Sequence, residues 1–334
     1  MKGVLAVSIW ASFSFVWIIS GCLLGIGFVS GVEINKFFGG CGKWGYALIA
    51  LSLLVAISTL YKLAVLTKNE SKVFSDKLSA LFAVIRALFM LSLLTYSVSS
   101  AEEILKCLGA CEKFPLGSLM LVVVIALLCL AKGQCVLKIF GIGVPLIALF
   151  CVCYRIVCGG NGNSAEIITK TPLSAVGGAI LLASYNVLAG MDAVIRFARN
   201  TNSKVLASSV FAGAILWLCG WAILSSTGNS QAMPMLKRIL EDSSALGIVF
   251  AGVMMASLIG TGVSWTVGLS DMINKNSALV PVAVCTVAFV GSLLGFDSIT
   301  SVIYPAFGAV GVALVVYINV IYAKRTVKLK KNKY

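Results

Sequence analysis

The stretch Gly25-Ile26-Gly27-Phe28-Val29-Ser30-Gly31-Val32-Glu33-Ile34 decides the fold. It lies in an apolar run, residues 6–38, that is too long for a plain membrane crossing, and Asn35 and Lys36 follow it at once. A glycine inside a helix costs about 1 kcal/mol relative to alanine. Gly21, Gly25, Gly27 and Gly31 together therefore predict a helix that is interrupted or packed tightly against a neighbour. The Gly21/Gly25 spacing fits close packing. Gly25, Gly27 and Gly31 beside a charge fit an interruption better, with backbone groups left open to a cavity.

The rest of the chain supplies the membrane. Of its 334 residues 60% are hydrophobic and 11% charged, and the mean hydropathy is +1.03. Such a composition lies outside that of a soluble domain. A crossing takes about 20 apolar residues, and the apolar runs give ten segments: 6–38, 44–66, 77–106, 115–131, 135–156, 172–198, 204–226, 243–270, 278–295 and 298–323. The start resembles a signal peptide only superficially, because the segment after it is apolar as well, and it is expected to be a retained first helix.

The net charge of +14 does not point to nucleic acid, since the basic residues lie in short connections and in the tail Lys324–Lys333. With the N-terminus inside, 17 of the 26 Lys and Arg fall on the inner side and eight outside, with Arg86 in the third segment. The excess predicts a multi-pass cell-membrane protein with both termini in the cytoplasm and a basic tail, 324–334, facing anionic lipid.

There is no histidine, and the 11 cysteines show no paired spacing for zinc. Most sit in apolar runs as small buried side chains. Cys41, Cys107, Cys111 and Cys158 fall near one predicted face, which allows an extracytoplasmic disulfide.

The sixth segment repeats the pattern of the first. Tyr185 and Asn186 precede Gly190, and Asp192 and Arg196 follow it. Ser30-Gly31-Val32-Glu33 overlays Ala189-Gly190-Met191-Asp192, so the offset is 159 residues, or five helices. An odd number of crossings per repeat inverts the second copy. The expected organisation is thus an all-α membrane protein with two inverted five-helix repeats, 1–158 and 172–323, and broken helices 1 and 6 that face each other.

The candidate solute site is Gly25, Gly27, Ser30 and Gly31 with Tyr185, Asn186 and Gly190. In it, the N–H groups near Val29, Ser30 and Gly31 would receive a carboxylate. A cation would sit on the carbonyls of Leu24, Gly25 and Ile26, beside the hydroxyls of Thr261 and Ser264, which share a helix face with Ser257. Glu33 and Asp192, close to the glycines, are candidates for ion binding or coupling, or else helix-start acids with Lys36 and Arg196 as neighbours. Arg86 either pairs with an acid in the bundle or snorkels to the interface. Lys138 either replaces a sodium ion with its own charge or belongs to the positive-inside set.

The Gly25–Ile34 stretch with Phe37 and Phe38 resembles the GAGFASGQEI-type signature of the YkvI-like bacterial membrane proteins, and Tyr304-Pro305-Ala306-Phe307-Gly308 resembles that family's last-helix pattern. Here Ile26 and Val29 stand in place of alanines and Val32 in place of a polar residue. The family is distantly similar to the amino acid-polyamine-organocation superfamily. The resemblance implies a LeuT-like five-plus-five fold. It also implies secondary transport of an amino acid or related small solute, driven by sodium or protons, without cofactor or catalysis. The alternative is a sensor or partner-binding subunit on the same scaffold. An intramembrane enzyme lacks a base or a metal motif, and no segment resembles a channel filter.

Overall fold

A computed structural model of the chain describes residues 20, 23, 25–69, 76–110, 114–131, 143–158, 170–200, 205–227, 232–274 and 277–331. Among these it is all-helical. The helices are α1 (Ile26–Val29), α2 (Val32–Phe38), α3 (Trp44–Asn69), α4 (Asp76–Cys107), α5 (Leu116–Leu130), α6 (Gly143–Cys158), α7 (Pro172–Asn200), α8 (Val205–Ser226), α9 (Pro234–Asp242), α10 (Ser244–Ile273), α11 (Leu279–Ser292) and α12 (Phe296–Lys331).

Five of them, α3, α4, α7, α10 and α12, are long and apolar enough to cross a membrane, and four shorter apolar helices lie among them. The surface is that of a body immersed in lipid. Large side chains such as Leu54, Val157, Leu173 and Leu279 point outward, whereas Glu33, Asn35, Ser97, Asn186 and Thr266 are buried. In hydrocarbon the cost of exposure is reversed, so polar groups turn inward where partners exist. The protein is a multi-pass membrane protein.

Two groups of helices pack around the first segment. In one, α7 lies against α3 and α12, with α8 beside α3; in the other, α4 lies against α5, α10 and α11. Small residues set the closest approach: a methyl group at Gly311 of α12 would strike the backbone carbonyl of Ser184 in α7.

Seven of the expected segments fall within three residues of the observed helices, and the last one continues to Lys331. Three features differ from expectation. The first segment is interrupted twice, at Gly25 and at Ser30–Gly31. The sixth is not broken: α7 is helical throughout 172–200, and Gly190 is a buried helical residue. A lone glycine removes too little free energy to open a ladder held by a neighbour on either side. Finally, the connection after α8 contains α9, which buries Met235, Leu236 and Ile239 and turns its charged residues outward. Nine residues are too few for a crossing, so apolar length could not reveal it. Cys41, Cys107 and Cys158 are free thiols; Cys111 lies outside the described residues, as do Leu24 and Lys138 and the side chain of Arg196.

Candidate functional site

The first segment builds the site through its backbone. Gly25 is extended (φ −65°, ψ 166°) and opens onto free space; α1 then makes a single turn. At Gly31 the chain takes φ +85°, a left-handed conformation that costs other residues about 1–2 kcal/mol, and α2 begins. Neighbours satisfy the groups left over. Ser30 Oγ donates to the Gly27 carbonyl at 3.2 Å, and the Met235 N–H of α9 donates to the Ser30 carbonyl at 2.9 Å. Thr227 donates to Asn35 Oδ1 at 3.0 Å.

On the opposite side of this segment is a cavity of about 50 Å³, partly open to the exterior. Helix 1 contributes Leu23, Gly25, Ile26, Gly27 and Glu33, and α4 contributes Leu93, Tyr96 and Ser97. The remaining walls are Tyr185, Asn186 and Ala189 of α7 and Thr261 and Trp265 of α10.

Glu33 is the only acid in the described lining and is 2% exposed. The Tyr304 hydroxyl of α12 donates to Glu33 Oε1 at 2.8 Å. A side chain at Gly27 would run into Glu33 Oε1 and the hydroxyls of Tyr304 and Tyr96, so the absence of a Cβ there lets three oxygens converge. The Tyr304 ring lies edge-on to Tyr185 at 5.1 Å and to Tyr96 at 6.2 Å. One buried polar atom has no partner here, Asn186 Nδ2. Buried polar atoms without partners are rare in folded proteins and mark where a ligand or water is expected.

Contacts flank the cavity on two sides. Past Tyr304, Lys36 Nζ donates to the Thr300 carbonyl at 2.9 Å and lies 5.3 Å over the Tyr304 ring, while Phe296 stacks on Tyr96 at 5.3 Å. On the other side, Arg86 of α4 pairs with Asp192 of α7 at 2.9 Å. Arg86 is seven residues before Leu93, about 10 Å along the helix, so the pair ties α4 to α7 two turns from the cavity.

Of the candidate site residues, Gly25, Ile26, Gly27, Glu33, Tyr185, Asn186 and Thr261 line this one cavity. Four others do not. Gly31 faces Ile223, Pro234 and Thr227 on α8 and its continuation into α9 and does not line the cavity. Ser30 is spent on the interruption itself, Gly190 is absorbed in α7, and Asp192 belongs to the pair with Arg86. Ser264 is exposed and donates to the Gly260 carbonyl. The expected cation ligands are also engaged: the Gly25 carbonyl accepts from Phe28 and Val29, and the Ile26 carbonyl from Ser30.

Sequence reasoning missed Tyr96, Ser97, Trp265 and Tyr304. The polar run Thr95–Ser100 inside an apolar helix was a usable signal for the first two, and the position of Trp265 one turn after Thr261 for the third.

No protein-family model and no curated protein matches the chain. Its fold is similar to solved structures of a manganese transporter from Eremococcus coleocola. A histidine-to-alanine variant of that protein is 16% identical, with a TM-score of 0.57 over 91% of this chain and 76% of that one. Its complex with an aromatic bis-isothiourea substituted compound is 17% identical, with a TM-score of 0.54 over 93% and 77%. At such identity the likeness is one of fold, and it spans nine-tenths of this chain.

Proposed function

We propose that the protein is a secondary active transporter of an amino acid or related small organic solute, working by alternating access and coupled to sodium or protons. One observation carries this reading: a mostly apolar cavity inside the bundle, built on an interrupted helix, with the polar groups of Glu33, Tyr96 and Asn186 on its walls. Interrupted helices at a cavity are where transporters with inverted repeats bind their solutes. The likeness to a manganese transporter's fold supports transport as the class of function. It does not extend to the cargo, since among the described residues no three His, Cys, Asp or Glu side chains gather to hold a metal ion. The YkvI-like resemblance and the LeuT-like five-plus-five reading agree with this proposal, as does a cell-membrane location with both termini inside.

The test is binding followed by flux. Purified protein is heated with amino acids, amines and nucleobases in sodium or potassium chloride, since a ligand of the folded state raises the melting temperature. Hits then enter proteoliposomes under an imposed gradient. Accumulation that collapses with the gradient is the expected result. Binding without any accumulation or exchange would overturn transport in favour of a sensor or partner-binding subunit. A reporter fused after Tyr334 should be active only in the cytoplasm.

A further inference from the structure

We infer that the cavity receives a small hydroxylated amine, with its ammonium on Glu33 and its hydroxyl on Asn186. This assignment rests on the transporter reading of the same cavity and narrows its substrate class.

Glu33 is buried, and among the described residues it has no ion-pair partner. The nearest basic residue in sequence on its own helix, Lys36, is committed to the Thr300 carbonyl and the face of Tyr304. A buried carboxylate without a positive partner is strongly unfavourable, so Glu33 either holds a proton or meets a cation brought from outside, and the ligand's ammonium is that cation. The walls suit an organic cation. Tyr96, Tyr185 and Trp265 surround the cavity, and aromatic faces attract ammonium groups. A solute carboxylate finds no such partner, because the described lining holds neither Lys nor Arg.

The second pole is Asn186. Its Nδ2 is buried without an acceptor. A ligand hydroxyl accepts from it. Positive charge at one end and a neutral oxygen at the other describe an amino alcohol. They do not describe an amino acid, whose carboxylate would enter uncompensated.

Six compounds of similar size separate these requirements when their affinities are measured by calorimetry on the full-length protein: ethanolamine, n-propylamine, ethylene glycol, glycolate, glycine and sodium chloride alone. Ethanolamine should bind best and n-propylamine about fivefold more weakly, the value of one hydrogen bond. Glu33→Gln, which can still accept from Tyr304, should weaken both amines about tenfold or more. Asn186→Leu should erase the advantage of ethanolamine over n-propylamine, with the variant's fold checked separately by its circular dichroism and melting temperature. Glycolate or glycine binding as tightly as ethanolamine, absence of binding by both amines, or amine affinity untouched by Glu33→Gln would each overturn the assignment. Counterflow in proteoliposomes keeps the two ideas apart. Exchange of glycine without effect of the amines sinks the ligand class alone, and tight amine binding without exchange sinks transport alone.

Discussion

The stretches around Gly31 and Gly190 read almost alike, yet one interrupts its helix and the other does not. Both place a glycine two residues before an acid. Around Gly31, however, three glycines fall within seven residues, and neighbouring groups take over the lost hydrogen bonds: Ser30 Oγ on one carbonyl and the Met235 N–H on the next. Around Gly190 the helix stays closed, packed between α3 and α12. A glycine thus permits an interruption, and a replacement partner establishes it. The acids diverge as well. Glu33 turns into the cavity among hydroxyls, whereas Asp192 meets Arg86 and cross-links two helices.

The contrast can be broken by substitution. The largest effect is expected from Gly27→Leu, whose side chain would displace Glu33, Tyr304 and Tyr96 from their shared point. It should abolish solute binding in calorimetry and lower unfolding stability by about 3 kcal/mol; retained binding in a folded variant would remove the cavity from helix 1. Next comes the Arg86–Asp192 pair, both of whose side chains are less than one-third exposed. Asp192→Leu leaves a cation unpaired near lipid, and Arg86→Leu in the same chain should recover about 2 kcal/mol in a double-mutant cycle. Strict additivity would mean that the two helices are tied by other contacts.

Smaller effects test the glycines themselves. Gly31→Ala forces a side chain into φ +85° against Ile223 and Pro234, and should cost about 1–2 kcal/mol of unfolding free energy. Gly177→Ala, in the unbroken α7 with open space beside it, should instead add about 0.5–1 kcal/mol. Opposite signs at the two positions would sharpen the comparison; equal losses would erase it.

Most of the architecture was legible because hydrocarbon imposes a length. Each crossing must be a continuous apolar run, so the bounds of α3, α4, α5, α7, α8, α10 and α11 could be read from composition. The interruption in helix 1 was legible because Gly25, Gly27 and Gly31 cluster. The continuity of α7 was not, because it depends on what packs against Gly190. Tyr304 was hidden for a related reason: an aromatic residue in an apolar helix looks the same whether it faces a cavity, a neighbour or lipid. Thr261 and Ser264, three residues apart, could not be separated until their faces were known, and only Thr261 reaches the cavity.

The hydrogen bond from Met235 to Ser30 is written in main-chain atoms on both sides. Side-chain identity at position 235 is therefore free to drift as far as that bond is concerned, and proline alone, lacking the amide hydrogen, would sever it. Relatives of this protein could keep the same join between α9 and helix 1 while sharing no residue at either position, so an aligned pair of sequences would carry no trace of it.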